Sequence, residues 1–209
     1  MIRVIFSALV VASIMNFSAA AKAQSASDKL QNVLSKLSAM QADFSQRVIS
    51  VDKQLLDETS GRFFLSRPGK FKWDYADDGQ KIISDGKKIY FYNPDLEQVI
   101  VRSLKNATAQ VPSLILVAND ARLDELFAVK ILPTSVGLQW YSLTPKSEEA
   151  TYQQMKLGFV GGELSSINIV DGLGQTTQLQ LSAVQTRKSI ASKEFAFEIP
   201  EGADVINDF

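Results

Sequence analysis

The chain has 209 residues, with 22 lysine or arginine residues against 23 aspartate or glutamate residues, and it contains neither cysteine nor histidine. Without those two residue types it cannot form a disulfide or a Ser-His or Cys-His nucleophile, and it lacks the preferred ligands of zinc. The formal net charge of −1 gives no basic surface of the kind that binds nucleic acid. We therefore expect no catalytic residue, metal ion, cofactor or nucleic-acid partner.

Residues 1–23 have the features of a secretory signal peptide. Arg3 supplies a positive start, residues 4–17 form a mostly apolar run, and Ala21-Lys22-Ala23 offers the small residues that a signal peptidase requires. The run is shorter than the ~20 residues of a membrane anchor, so we predict cleavage after Ala23 rather than retention as an interfacial helix. Residues 24–209 are then a single exported domain with 20 basic and 23 acidic residues, and no cysteine follows the cleavage site to receive a lipid.

The first predicted element is an amphipathic helix over residues 25–42. Its apolar residues recur at spacings of three and four, which places them on one helix face: Leu30, Val33, Leu34, Leu37 and Met40. Ser27 is the predicted N-cap, and Asp28 lies in the first turn, where the helix dipole favours a negative charge.

From Phe44 onward the hydrophobic period changes to two, which predicts strands with one apolar face. The predicted apolar series are Phe71, Trp73 and Tyr75; Leu138, Trp140 and Ser142; Met155, Leu157 and Phe159; Leu179 and Leu181; and Phe195, Phe197 and Ile199. Hairpin turns are predicted at Asp78-Gly79, Asp85-Gly86, Gly161-Gly162 and Asp171-Gly172. The predicted fold class is mainly β: an antiparallel sheet that curls into an incomplete barrel, with an N-terminal helix and a short helical lid.

The alternation disappears between residues 102 and 127, and this segment is the predicted lid. Pro112 suits the first position of a short helix over residues 113–118, and Asp120 suits the cap of a second short turn ending near Phe127. Residues 114–117 are all apolar. This helix must therefore be covered on most sides, or must itself cover an apolar surface.

The acidic pairs and the one glycosylation motif carry no strong functional signal. Four pairs occur in polar surroundings, and we predict that all are solvated surface groups: Asp57-Glu58, Asp77-Asp78, Asp124-Glu125 and Glu148-Glu149. Asp171-Gly172-Leu173-Gly174 lacks the rest of a phosphate-binding motif and is predicted to be a tight turn. Asn106-Ala107-Thr108 matches a glycosylation sequon, a short motif that often occurs by chance.

Arg67 is open to two interpretations. It precedes Pro68, which favours an extended backbone at Arg67, and Gly69, which permits a tight turn. It is either an ordinary surface arginine at a hairpin or a planar donor that bonds free carbonyl groups at the helix ends of the lid.

The chain resembles the outer-membrane lipoprotein carrier (LolA) family over nearly all of residues 24–209. Seven stretches in the family's order carry this resemblance: Phe44-Ser45-Gln46, Arg67-Pro68-Gly69-Lys70-Phe71-Lys72-Trp73, Ser84-Asp85-Gly86-Lys87, Tyr92-Asn93-Pro94-Asp95-Leu96-Glu97-Gln98-Val99, Pro112-Ser113-Leu114, Asp171-Gly172-Leu173-Gly174-Gln175-Thr176-Thr177 and Phe195-Ala196-Phe197-Glu198-Ile199-Pro200. The resemblance implies a half-barrel whose apolar interior receives the acyl chains of lipoproteins. It also implies that the arginine at position 67 holds the lid shut.

Several further expectations follow from this resemblance. The chain would be a periplasmic, non-enzymatic monomer that takes lipoproteins from an inner-membrane ABC transporter complex and passes them to an outer-membrane acceptor. The interior is predicted to be lined by Leu34, Phe44, Phe71, Trp73, Ile83, Tyr90, Leu114, Ile115, Leu116, Trp140, Leu157 and Ile169. The residues alone leave two alternatives open: a carrier of another amphiphile such as a glycolipid or phospholipid, and a sensor or adaptor domain with a similar half-barrel.

Overall fold

The computed structural model describes residues 24–105, 112, 114–118, 123–134 and 137–208. The predicted signal peptide, the sequon at Asn106 and the predicted cap Asp120 lie outside these residues. The helices are α1 (Ala26–Ser35), α2 (Leu114–Val117), α3 (Leu123–Leu126) and a 3-10 turn at Ser192–Phe195. The strands are β1 (Ala39–Ile49), β2 (Leu55–Ser66), β3 (Lys70–Tyr75), β4 (Lys81–Asp85), β5 (Lys88–Asn93), β6 (Gln98–Ser103), β7 (Phe127–Ile131), β8 (Leu138–Pro145), β9 (Tyr152–Val160), β10 (Glu163–Asp171), β11 (Thr176–Arg187) and β12 (Asp204–Asp208).

The N-terminal helix is real but shorter than predicted, and Ser25, not Ser27, caps it. The Ser25 side chain accepts a hydrogen bond from the backbone N–H of Asp28, and the Asp28 carboxylate accepts one from the N–H of Ser25. This reciprocal capping box satisfies two N–H groups that the first turn would otherwise leave free. The helix ends at Ser35, and Met40 lies in β1, where its inward direction mimics the helical spacing.

The strands form one antiparallel meander, as predicted, with a parallel pair at one edge. Their order is β12-β6-β5-β4-β3-β2-β1-β11-β10-β9-β8-β7, so β1 and β11 join the two halves at the centre. β7 and β12 are the two edge strands, which leaves the sheet unclosed. The parallel pair is formed by β12 and its neighbour, β6.

The predicted strand over residues 195–199 is wrong. Phe195 ends the 3-10 turn, and the chain from Ala196 to Pro200 forms no strand. The alternation has another cause: Phe195 is fully buried, and Phe197 packs against the tyrosine rings of β5 on the outer face of the sheet.

One apolar core spans both halves of the sheet. Phe71 and Trp73 of β3 belong to the same buried cluster as Leu143 of β8 and Met155 of β9, together with α2 and α3. A flat sheet would keep those strands far apart, because neighbouring strands lie ~4.8 Å from each other. The sheet therefore curls around the helices, which confirms the predicted half-barrel with a helical lid.

Candidate functional site

The lid helix α2 lies on the concave face of the sheet, beside the turn between β2 and β3. All four of its residues are buried, between 0% and 6% exposed. Pro112 precedes the helix, as predicted, and its carbonyl accepts a hydrogen bond from the N–H of Ile115. A helix that is apolar on every side is stable in water only when it is covered, and here the concave face covers it.

Nine of the twelve residues predicted to line the interior belong to the buried cluster that contains α2 or pack against it, and a role for them in lipid binding stays a prediction. Those in the buried cluster with it, or packed against that cluster, are Leu34, Phe44, Phe71, Trp73, Leu157 and Ile169, in addition to Leu114, Ile115 and Leu116 of α2 itself. Phe63 was not predicted, although it is fully buried and stacks on Trp73 with ring centroids 4.0 Å apart. It lies in the run Phe63-Phe64-Leu65, where three apolar residues in succession conceal which face each one occupies.

An aromatic cluster on β1–β3 is held in place by a glycine. The ring of Phe44 contacts Trp73 and Tyr75 edge-on, with centroids 5.1 and 5.2 Å apart. Phe44 lies opposite Gly61 on β2, and a Cβ at that position would come within 2.8 Å of the Phe44 ring and 2.2 Å of the Asp74 carbonyl oxygen. Gly61 therefore allows the Phe44 ring to lie flat on the sheet.

The inward position predicted for Trp140 is wrong, because its side chain lies on the outer, convex face of the sheet. Its neighbours Tyr141 and Leu143 point into the core, so the alternation of β8 has the opposite phase to the predicted one. The Trp140 ring covers Gly158 of β9, where a Cβ would meet it at 2.9 Å. It borders a surface depression of about 220 Å³ whose other walls include Ser45, Ser166 and Asn168.

The inward positions predicted for Ile83 and Tyr90 are also wrong, because both side chains lie on the outer face of the sheet. They pair with each other and lie on the face that carries Lys72, opposite to Phe71 and Trp73. Both are covered from outside, because the 3-10 turn contacts β3 and β4, and the rings of Tyr90 and Phe197 are 5.4 Å apart. Ile82, not Ile83, packs against the inner core.

The turn between β2 and β3 holds α2 through two hydrogen bonds. Arg67 donates from Nε to the carbonyl oxygen of Leu116 at 2.9 Å, and the backbone N–H of Gly69 donates to the carbonyl of Val117 at 3.0 Å. The last carbonyls of a helix have no partner within it, so this turn satisfies two of them. The contact agrees with the second interpretation of Arg67, in which it bonds the free carbonyls of the lid.

Burial has an electrostatic cost for the Arg67 guanidinium. Removal from water lowers its pKa from the usual value, because the charged form loses hydration. Its Nη2 is buried and has no hydrogen-bond partner among the described residues. The favourable bond to Leu116 is therefore offset in part by a desolvation cost.

α2 fills part of the concave face, and open depressions border the core on either side. The described residues line an open, mostly apolar depression of about 210 Å³ beside the lid, bordered by Gly69, Leu104 and Leu114 among others. The middle of the interior is occupied by the side chains of α2. A ligand that binds the apolar surface under α2 must therefore displace the lid.

The four acidic pairs are surface groups. Asp57-Glu58, Asp77-Asp78, Asp124-Glu125 and Glu148-Glu149 are all exposed, as predicted. No group of His, Cys, Asp or Glu side chains within the described part of the chain could hold a metal ion. No helix within these residues is both long enough and apolar enough to cross a bilayer.

The family described as "Outer membrane lipoprotein carrier protein LolA" matches residues 35–198, the segment that contains strands β1 to β11, the lid and Arg67. The chain belongs to this family. Among its relatives, the outer-membrane lipoprotein carrier protein of Cupriavidus pinatubonensis is 37% identical over 185 residues, covering 87% of each chain. That of Chromohalobacter salexigens is 35% identical over 203 residues, covering 96% of each chain.

A solved structure of an uncharacterised conserved protein from Thermus thermophilus shares the fold. It is 10% identical, with a TM-score of 0.53, and the match covers 88% of this chain and all of that one. This likeness concerns the fold alone.

Proposed function

We propose that this LolA family member is a carrier that shields the acyl chains of lipoproteins and moves them from the inner to the outer membrane. One observation carries the proposal: an all-apolar helix covers an apolar concave face and is held there by two hydrogen bonds from one turn. Displacing that helix would expose a continuous apolar surface. Its relatives in Cupriavidus and Chromohalobacter bear the name outer-membrane lipoprotein carrier protein.

The energetics suit an exchange between lid and cargo. Burying a leucine, isoleucine or valine side chain contributes about 1.5–3 kcal/mol, so the four residues of α2 gain roughly 6–12 kcal/mol on the concave face. Acyl chains gain about 0.8 kcal/mol for each methylene removed from water. Cargo can therefore replace the lid on the same surface at little net cost.

The rest of the proposal follows from this role. The predicted signal peptide would place the mature domain in the periplasm. An inner-membrane ABC transporter complex would supply the lipoprotein, and an outer-membrane acceptor would remove it. The protein would act as a monomer and catalyse no covalent step, since transfer between apolar sites requires none.

Native mass spectrometry of the protein purified from periplasm tests this proposal. We expect one triacylated lipoprotein per protein in the loaded fraction. Phospholipid or glycolipid alone would contradict the proposal and favour the carrier of another amphiphile. A protein that carries no lipid, even after incubation with membranes that contain the transporter, would leave the sensor or adaptor alternative.

A further inference from the structure

A buried serine lies directly behind the lid tether. Ser84 at the end of β4 is 0% exposed, and its hydroxyl donates a 2.6 Å hydrogen bond to the carbonyl oxygen of Gly69. Gly69 is the residue whose N–H holds the Val117 carbonyl. The carrier proposal assigns no role to Ser84.

The hydroxyl joins two turns that touch backbone to backbone. It also accepts a longer bond, 3.4 Å, from the N–H of Gly86 in the turn between β4 and β5. A Cβ at Gly69 would lie 3.2 Å from the Gly86 Cα, which shows how closely the two turns approach. Ser84 thus anchors the β2–β3 turn to the neighbouring hairpin.

Gly69 depends on such an anchor more than another residue would. Its φ of +71° lies in the left-handed region, which glycine adopts freely but from which it also departs freely. If the hydroxyl were absent, the buried Gly69 carbonyl would lose this partner, and leaving such a group unpaired favours a change of conformation. The N–H of the same residue would then move away from Val117.

We propose that Ser84 is a positioning residue for the lid: it fixes Gly69 so that its N–H can hold α2, and it thereby sets how often the lid opens. The Ser84 hydroxyl bonds to Gly69 and Gly86 and not to Arg67, so we expect the tether from Gly69 to respond more strongly than the tether from Arg67. This inference rests on the proposed function of α2 as a lid.

The test uses the absence of native cysteine. Val117→Cys places a thiol in α2 at a position only 1% exposed, so its alkylation rate reports lid opening. Leu143→Cys in β8, also fully buried, reports global unfolding in a parallel sample. In the Val117→Cys background, Ser84→Ala is expected to raise the alkylation rate about fivefold, the loss of one net hydrogen bond. The rate at position 143 should remain unchanged.

Ser142→Ala is the matched control, because Ser142 is a second buried serine, on β8 and facing away from the core. Ser84→Thr retains the hydroxyl and should return the rate at position 117 towards the wild type. An unchanged rate in Ser84→Ala, with Arg67→Leu raising it, would refute the role of Ser84 alone. If neither change raised it, α2 would not be a lid, and the proposed function would fail with it. A parallel increase at position 143 would mean that Ser84 stabilises the whole fold and would also refute the positioning role.

Discussion

Replacing Arg67 by leucine removes one tether of the lid and leaves the other. The lost interaction is the 2.9 Å bond from Nε to the Leu116 carbonyl. A hydrogen bond with a charged partner contributes about 1.5–3 kcal/mol. Burial lowers the pKa of Arg67 in the native protein because the charged guanidinium loses hydration. Leucine removes that desolvation cost. We therefore expect a net loss of ~1–2 kcal/mol of lid closure, a rise of roughly 5- to 30-fold in the open fraction.

Two transfer rates separate the consequences of this change. Release of lipoprotein from donor membranes into Arg67→Leu should be as fast as in the wild type or faster, because loading no longer has to break the bond to Leu116. Delivery from the loaded variant to the acceptor should be slower, because the returning lid helps to displace the chains and now returns less favourably.

Arg62→Leu is the control for loss of a positive charge, because Arg62 lies on β2, the strand that leads into the Arg67 turn. The Arg62 side chain is 65% exposed and pairs with Asp74 on the outer face, so neither rate should change. Arg67→Lys should resemble Arg67→Leu more than the wild type, since a single ammonium lacks the planar geometry of the guanidinium. Wild-type values for both rates in Arg67→Leu would refute the tether and make Arg67 a structural arginine of the turn.

Three further predictions concern the interior. Phe71→Glu places an unpaired carboxyl group at a fully buried position, so lipoprotein transfer should be blocked and the free energy of unfolding, measured by urea titration, should fall by several kcal/mol. Phe71→Leu should leave transfer measurable. Normal transfer by the glutamate variant would contradict an inward position of Phe71. An environment-sensitive apolar dye should bind the folded protein stoichiometrically, more tightly to Arg67→Leu than to the wild type, and lipopeptide should displace it. If neither protein takes up the dye, the interior is not accessible. Burial raises the pKa of Tyr75 and Tyr152 to about 12. The neutral tyrosines therefore stabilise the fold fully below pH 10, and this contribution is lost as the pH rises through 12. Tyr152→Phe should make the alkaline fall in unfolding free energy, measured by urea titration, less steep, and an unchanged pH dependence would contradict this role of Tyr152.

The strands that were predicted correctly are those whose two faces differ in polarity. Phe71, Trp73 and Tyr75 alternate with charged residues, so their direction could be inferred before any contact was known. The hairpin turns were equally predictable from the sequence, because Gly86 and Gly162 adopt positive φ values that other residues avoid. In both cases the information is local.

The errors at Ile83 and Tyr90 fall where both faces of the sheet are covered. The C-terminal segment packs Phe195 and Phe197 on the outer face, so β4 and β5 carry apolar side chains on both sides, and Ile83 and Tyr90 have the appearance of inner residues. The inward face of β8 was assigned wrongly because Trp140 is larger and more apolar than Gln139. Trp140 lies on the convex face, where the missing side chain of Gly158 leaves room for its ring. These outcomes depend on contacts between distant segments, which hydrophobic period alone does not specify.

The two tethers matter because the hydrophobic contributions of lid and cargo nearly cancel. α2 and an acyl chain would bury the same concave surface, and the hydrophobic gain per unit of apolar area is similar for both. We propose that the balance between a closed lid and a loaded interior is then set by smaller, directional interactions: the bond from Arg67 to Leu116 and the bond from Gly69 to Val117. Each is worth only a few kcal/mol at most, which is enough to shift the balance by one or two orders of magnitude. A stronger tether would keep cargo out, and no tether would leave nothing to favour its departure.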